Sequence, residues 1–476
     1  MKQLATSLLG LLALGSCAAI DPPEARARVE APPLPDVFVA DESAPPAAEQ
    51  AADAWWEELG TPELDALIVE ALERSYDLRA ALERVAQADA EAELAGVSRR
   101  PQVSAGLSAD RSRRNYVGLP IPGSGGVLSS TATTFGLSLN LSWELDLWGR
   151  LSALERAAEL QRDATTADFA GVRLSIAGQV AKAYVSAVEA KAQLRVADDA
   201  VEIRRRSLQL VQDRFEGGLA PRLELEQSRT QLANSEALVA GRRRAAEASI
   251  RRLEILMGRY PSGDLQVADS LPNPPERPPV GIPATIVSRR PDLFSAELRL
   301  RAADERFQAA RADLYPRLAL TASGGTSSNE LGDLLDGDFR VWSLAGNLVQ
   351  PIFEGGRIRA QIASSDALAS EASAQFAGAV LRACAEVEIA LDAEDDLALQ
   401  VTHLASAVES SRASEALVDE RYRSGLENLL QLLIERRTRL DAESAWLDTR
   451  RAWLENRIDL HLALGGGFDA TAEVQE

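Results

Sequence analysis

The chain has 476 residues, 46% of them hydrophobic and only 5% aromatic, and a formal net charge of −21. Its bias toward Ala, Leu, Glu and Arg favours long helices over a compact α/β enzyme core. The acidic balance argues against a nucleic-acid partner, because phosphate contacts need a basic surface; the runs Arg204–Arg206 and Arg242–Arg244 lie among acids and read as solvated helix faces.

The first residues, MKQLATSLLGLLALGSC, set one positive charge at Lys2 before an apolar run, the pattern of a secretory signal over residues 1–16. Leu14-Gly15-Ser16-Cys17 resembles a bacterial lipobox, in which the chain is cut before the Cys and the Cys is lipidated. Ala18 rather than Asp follows, which in lipoproteins of this type favours export to the outer membrane. Residues 17–60, rich in Pro and Ala up to position 52, read as a lipidated tether. No other stretch offers the ~18 uncharged apolar residues of a spanning helix. A membrane crossing by the mature chain would therefore use strands.

From there on the chain repeats itself. DRFEGGL at 213–219 returns as ERYRSGL at 420–426, an offset of 207 that also relates Gly149-Arg150 to Gly356-Arg357 and Leu225 to Leu432. Upstream the offset is 215, relating Asp77 to Asp292 and Pro101 to Pro316, so one connection is eight residues shorter in the second copy. The expected copies span 61–262 and 284–467. A Pro-rich linker at 263–283 separates them, and a short tail follows at 468–476. Each copy reads as helix, two strands, a very long helix, a corner and a returning helix.

Strand signals come first in each copy. In FGLSLNLSWELDL, residues 135–147, apolar and small or polar residues alternate strictly, long enough for the ~9–11 residues of a membrane strand. Leu139 and Leu141 would face lipid, and Asn140 and Ser142 a lumen. PQVSAGLSAD at 101–110 supplies a partner; PRLALTAS at 316–323 and VWSLAGNL at 341–348 repeat the pair more weakly. Four strands are too few to close a barrel, since the smallest membrane barrels have about eight. Several chains would have to share one.

Heptads follow the strands. Val180, Ala187, Leu194, Val201, Leu208 and Phe215 are spaced by seven, as are Leu225, Leu232, Val239, Ala246, Leu253 and Tyr260 after the corner. The second copy is looser, with Leu397, Leu404 and Val418, then Leu432, Trp446, Trp453 and Leu460. Such a period means coiled-coil hairpins turning at the glycines. A continuous helix from Arg150 to Phe215 would be roughly 100 Å long.

SWELDLWGR at 142–150 and SRRPDLFSAELRLRAADERFQAARADLYPRLALTASGG at 288–325, together with the lipobox, resemble the outer membrane efflux proteins: TolC-like ducts and, more closely, lipoprotein ducts of the OprM/NodT type that serve RND pumps. The resemblance implies a mainly α chain with a transmembrane β-barrel. In a homotrimer, four strands per chain would form a shared twelve-stranded barrel over an α-barrel of helical hairpins. It implies a periplasmic adaptor and an inner-membrane RND transporter as partners, with outer membrane lipid around the barrel. Residues 111–132 and 324–338 would be extracellular loops. The corners would be periplasmic tips that dock the adaptor, with Arg214, Gly218, Leu219, Arg421, Gly425 and Leu426 as the docking residues. The family's acid beyond the tip Gly is Glu224 in the first copy, whereas Gln431 stands in the second; Glu427 and Glu435 are the alternative gate carboxylates.

Catalytic chemistry has no signature here. His403, His461 and Cys384 lack metal-ligand spacing and read as helix residues, and GSGG at 123–126 lacks the Lys-Ser/Thr of a phosphate loop. The expected role is a non-enzymatic exit duct for small molecules such as drugs or metal ions, without cofactor or metal. The alternatives are the outer membrane duct of a type I protein secretion system and a periplasmic structural coiled-coil lipoprotein. The latter leaves the amphipathic strands unexplained.

Overall fold

The computed structural model describes residues 25–30, 33–41, 54–116, 128–278, 280, 283–466 and 468. Cys17, the signal and GSGG lie outside the described residues. Helices α1 (Pro62–Arg74) and α2 (Tyr76–Val97) lead into strands β1 (Gln102–Tyr116) and β2 (Leu128–Leu145). Helices α3 (Arg150–Glu216) and α4 (Arg222–Leu256) complete the first copy. The second copy runs through α5 (Ile286–Arg289), α6 (Pro291–Ala312), β3 (Arg317–Ser328), β4 (Arg340–Val349), α7 (Arg357–Arg423) and α8 (Leu429–Ala463). Both α3 and α7 have 67 residues, both α4 and α8 have 35, and both α2 and α6 have 22. The repeat in sequence is thus a repeat in structure. At about 1.5 Å per residue each long helix measures roughly 100 Å.

The chain divides into two compact units. One holds residues up to Glu30, Ala86–Ala164 and Glu297–Gln375, and contains the sheet. Its four antiparallel strands lie in the order β1-β2-β3-β4. Register puts Val103, Leu141, Ala322 and Leu344 in one row across all four strands, with Ala105, Leu139, Gly324 and Trp342 in another. Between them, on the opposite face, runs the row Ser104, Asn140, Ser323 and Ser343, in which the two serine hydroxyls are 2.8 Å apart. The alternation of β2 therefore continues through the weaker strands, so one face of the sheet is apolar and the other polar. That apolar face is uncovered: Leu139 and Leu344 are exposed, and Trp342 is 82% exposed. Among the described residues the outer edges of β1 and β4 have no strand partner, and no barrel closes.

Strands reach further than the alternation suggested. Arg111 pairs with Thr133 and Tyr116 with Leu128, and β3 continues to Ser328, so much of both expected loops is ladder. Residues such as Arg113 and Ser129 hold the register by a 2.9 Å side-chain hydrogen bond rather than by apolar alternation.

The other unit comprises Ala31–Val85, Thr165–Ala296 and Phe376–Glu476. Small residues set its packing: Ala177, Val180, Ala181 and Ala187 of α3 are buried with Leu64 and Ile68 of α1, Leu253 of α4 and Leu454 and Ile458 of α8. The heptads hold in their middles. Val201 and Val239 pack together with Leu194 and Leu232, whereas Phe215 and Tyr260 at the ends are exposed. Tyr260 lies beyond the end of α4, where no seam continues.

The N-terminal stretch is not a free tether where it is described. In the first unit Arg28 pairs with Asp304 at 2.7 Å and Asp366 at 3.0 Å, and Val29 O accepts from Ser373 Oγ at 2.6 Å. In the second unit Phe38 is buried, and Glu388 accepts from the N–H groups of Val39 and Ala40. Trp55, fully buried, stacks on His461 with ring centroids 5.4 Å apart. The Pro-rich linker is pinned too: Arg450 donates to Leu271 O and Pro272 O at 3.0 Å, and Arg457 to Pro275 O at 2.7 Å. His403 is exposed, Cys384 is a half-buried free thiol, and His461 is buried.

Two tests follow from this packing. An Arg at Leu141 should destabilise membrane insertion by about 2–4 kcal/mol near the midplane, whereas Asn140→Arg should be tolerated; equal tolerance in a denaturant titration from lipid would reverse the face assignment. The second concerns His461, which burial, and then the Arg457 charge, hold down to about 4 from the usual 6.5. As pH falls below 6.5 the unfolded chain takes up this proton before the folded one does. Stability is therefore lost between pH 6.5 and 4, on the order of 3 kcal/mol at most. His461→Phe, which keeps a ring against Trp55, should flatten the pH dependence of the unfolding midpoint in that window.

Candidate functional site

The two copies of the repeated phrase end their helices in the same way. Gly218 N–H reaches Phe215 O at 3.0 Å and Leu219 N–H reaches Arg214 O at 2.7 Å; in the second copy Gly425 reaches Tyr422 O at 3.1 Å and Leu426 reaches Arg421 O at 2.9 Å. This pair of bonds is a Schellman motif, and it needs a left-handed residue, supplied by Gly218 at φ 72° and Gly425 at φ 75°. In most such motifs an apolar residue after the glycine packs back onto another one turn earlier. Here the residues one turn earlier are Arg214 and Arg421. Leu219 is left 75% exposed and Leu426 70% exposed, so neither packs inside its turn.

The corners are neighbours within the second unit. Arg214 donates to Tyr422 O at 3.4 Å, and its guanidinium lies 5.1 Å from the Tyr422 ring centroid. Under that contact Val211 and Leu225 of the first hairpin join Tyr422, Leu429 and Leu432 of the second in one buried cluster. Tyr422 was not singled out by sequence, although it occupies the aromatic place of the repeated phrase; its counterpart Phe215 is exposed. Burial, and next the charge of Glu224, raise the Tyr422 phenol above its ordinary range.

The four gate candidates separate into smaller groups. Glu224 faces Tyr422. Glu427 is 3.7 Å from Arg421 across the second corner. Gln431 donates to Glu435 at 2.9 Å, and Glu435 also accepts from Ser414 at 2.9 Å. The second returning helix begins at Asn428, whose side chain caps it by accepting from Gln431 N–H at 2.9 Å.

The stretches that carried the family resemblance have structural tasks. In SWELDLWGR, Asp146 accepts from the N–H groups of Leu151 and Ser152 at 3.0 and 2.8 Å, capping the first turn of α3. Burial pushes the Asp146 carboxyl up, but the hydrogen bonds from Ser152 and Leu151 outweigh it and hold it below its usual range. Trp148 stacks on Tyr315 at 5.0 Å, and Arg150 pairs with Glu144 at 2.6 Å. In RRPDL, Arg290 forks onto Asp292 at 3.0 and 2.8 Å, reaches Glu386 of α7 at 2.6 Å, and donates to Ala463 O at the end of α8. Among the described residues no group of His, Cys, Asp or Glu could hold a metal ion, and no helix is long and apolar enough to cross a membrane.

A duplicated helical hairpin joined to an amphipathic sheet with open edges defines a TolC-like channel subunit. The model of the outer membrane efflux protein family matches twice, at residues 67–259 and 282–466. The chain is 34% identical over 424 residues to the pyoverdine export outer membrane protein OpmQ of Pseudomonas aeruginosa, covering 87% of this chain and 88% of that one. To outer membrane protein OprJ of the same organism it is 32% identical over 477 residues, covering 98% and 96%. Among solved structures, the outer-membrane channel OprN superposes with a TM-score of 0.84 at 27% identity, over 94% of this chain and 99% of that one. The chain belongs to the outer membrane efflux protein family, and its place is the outer membrane, extending into the periplasm.

Substitutions at the second corner should separate conformation from surface. Gly425→Val forces a β-branched residue into the left-handed region, at a cost of at least about 1–2 kcal/mol, and should raise protease cleavage at the corner. Leu426→Asp alters only an exposed side chain and should leave protection unchanged. Equal cleavage of the two variants would show that Leu426 supports the turn.

Proposed function

We propose that three copies of this chain form the outer membrane exit duct of a tripartite RND-type efflux pump. The observation that carries the reading is the sheet, apolar on one face and open at both edges, in a chain that also bears paired 67-residue helices. In lipid each unpaired backbone group costs several kcal/mol, so the edges of β1 and β4 require further strands. Closure therefore takes more than one chain, and the number three comes from the likeness to TolC-like channels. The apolar face would form the lipid belt, the polar face the lumen, and Cys17 a lipid anchor.

In this reading the paired corners are the periplasmic tips. Exposed Leu219 and Leu426 would meet a periplasmic adaptor, which in turn contacts an inner-membrane RND transporter. Glu224, Glu427, Gln431 and Glu435 would line the closing end. Relatives are named for pyoverdine export, toluene efflux and antibiotic efflux, which supports a small-molecule cargo such as drugs or metal ions, chosen by the pump rather than the duct.

The experiment is Leu219→Asp with Leu426→Asp in the native host, scored for drug resistance and for trimers in the outer membrane. Intact trimers with resistance lost are expected. Trimers and resistance lost together would reduce the motif to a turn, and full resistance with intact trimers would sink the docking role. Palmitate labelling of the same strain should vanish in Cys17→Ser; label that persists would refute the anchor.

A further inference from the structure

Close to the paired corners lies one charged feature whose residues are not among the tip or gate candidates. Residues of α3, α7 and α8 enclose a groove of about 720 Å³, within the range of small-ligand sites. Its floor is Arg436, 6% exposed. Arg436 Nη2 donates to Asp419 at 2.8 Å and Nε to Glu415 at 3.3 Å, but its Nη1 is buried without a hydrogen-bond partner. Arg439 lies on the same wall, paired with Glu415 and, at 3.1 Å, with Glu443.

The rim adds cations rather than acids. Arg412 draws on the same Glu443 at 2.7 Å, and Arg423 on the same Asp419 at 2.7 Å. Arg206 of α3 lines the groove and has no acidic partner among the described residues. Behind it Arg204 is turned toward Gln231 O, at 3.2 Å, and Ser235. Burial, and then the charges of Arg436 and Arg439, hold the Arg204 guanidinium below its ordinary range, only partly offset by Glu415. Four guanidiniums thus share three carboxylates, with Arg206 and Arg204 as further cations beside them, in a chain whose net charge is −21. Partly buried charge of one sign is unfavourable unless it is paired, and an unsatisfied buried donor adds to the cost.

We propose that this groove is an anion site for a compact, multiply charged oxyanion of the phosphate class. Arg forks match phosphate oxygens two at a time, a geometry that a spherical halide cannot exploit. Arg436 Nη1 and the unpaired Arg206 approach such an anion from different helices. Binding would tie α3 to the α7–α8 hairpin beside the corners. The proposal rests on the groove itself and stands whether or not the duct reading holds.

The test is calorimetric titration of the full-length protein in detergent with pyrophosphate, orthophosphate and glycerol phosphate, against sodium chloride at matched ionic strength. Saturable binding of pyrophosphate, one per chain, is expected, together with a raised thermal midpoint that chloride does not reproduce. Tighter binding of glycerol phosphate than of pyrophosphate would assign the site to a lipid headgroup instead of a free anion. The rim variant Arg206→Gln/Arg423→Gln, made at exposed positions, should weaken binding about tenfold with helix content unchanged. Arg436→Lys, which keeps the charge and loses the fork, should weaken it likewise. Absence of saturable binding by all three phosphates, or affinity unchanged in the rim variant, would overturn the site.

Discussion

Hydrogen bonding at the two edges of the sheet is the constraint on which the rest depends. Inside a bilayer no water can satisfy a strand's free N–H and C=O groups. Among the described residues the sheet has four strands, with β1 and β4 open on their outer sides. Everything else is compatible with that incompleteness. One face is apolar enough for lipid, the other carries Ser, Asn and Thr for water, and the strands are joined to helices whose length no globular core requires. If the proposed duct is right, the subunit is a segment of a larger wall, and its exposed apolar area would reflect that role rather than poor packing.

Duplication gives the two halves the same scaffold but not the same chemistry. The long helices are of equal length and both close on an Arg-aromatic-x-x-Gly-Leu turn. At the start of α3 the carboxylate of Asp146 caps the helix; at the corresponding place before α7 stands Phe353, which is exposed. At the corners Phe215 is exposed while Tyr422 is buried and carries Arg214 on its ring. One copy thus supplies the arginine and the other the aromatic that receives it, a division that a single unit could not make.

Much of this was legible in sequence because it is periodic. The strict alternation of 135–147 announced β2, the seven-residue spacing announced the hairpins, and repeated glycines marked the corners. Aperiodic features stayed hidden. The strand extensions beyond Asp110 and before Phe135 rely on backbone pairing with mixed side chains on both faces. The docking of Arg28, Val39 and Ala40 depends on acids more than 270 positions away, and no local pattern records that. His461 gave no sign of burial because its neighbours on α8 include charged residues, and its cover comes from Trp55. The arginine groove assembles side chains from three helices; within each helix they look like an ordinary solvated face.

Consider finally the N-terminal strap. Arg28 bonds Asp366 across 338 residues of chain, and Val29 is held by Ser373 in the same stretch of α7. Contacts of such separation carry a large loop-closure cost and form only after the intervening elements are in place. During synthesis the N-terminal residues emerge first, yet their binding groove is not made until α7 has been translated and folded. The strap is therefore among the last pieces to dock, and its closure requires the second copy to be in place. A chain truncated in its second half would leave Arg28 without its carboxylates, so the docked N-terminus marks a finished second copy.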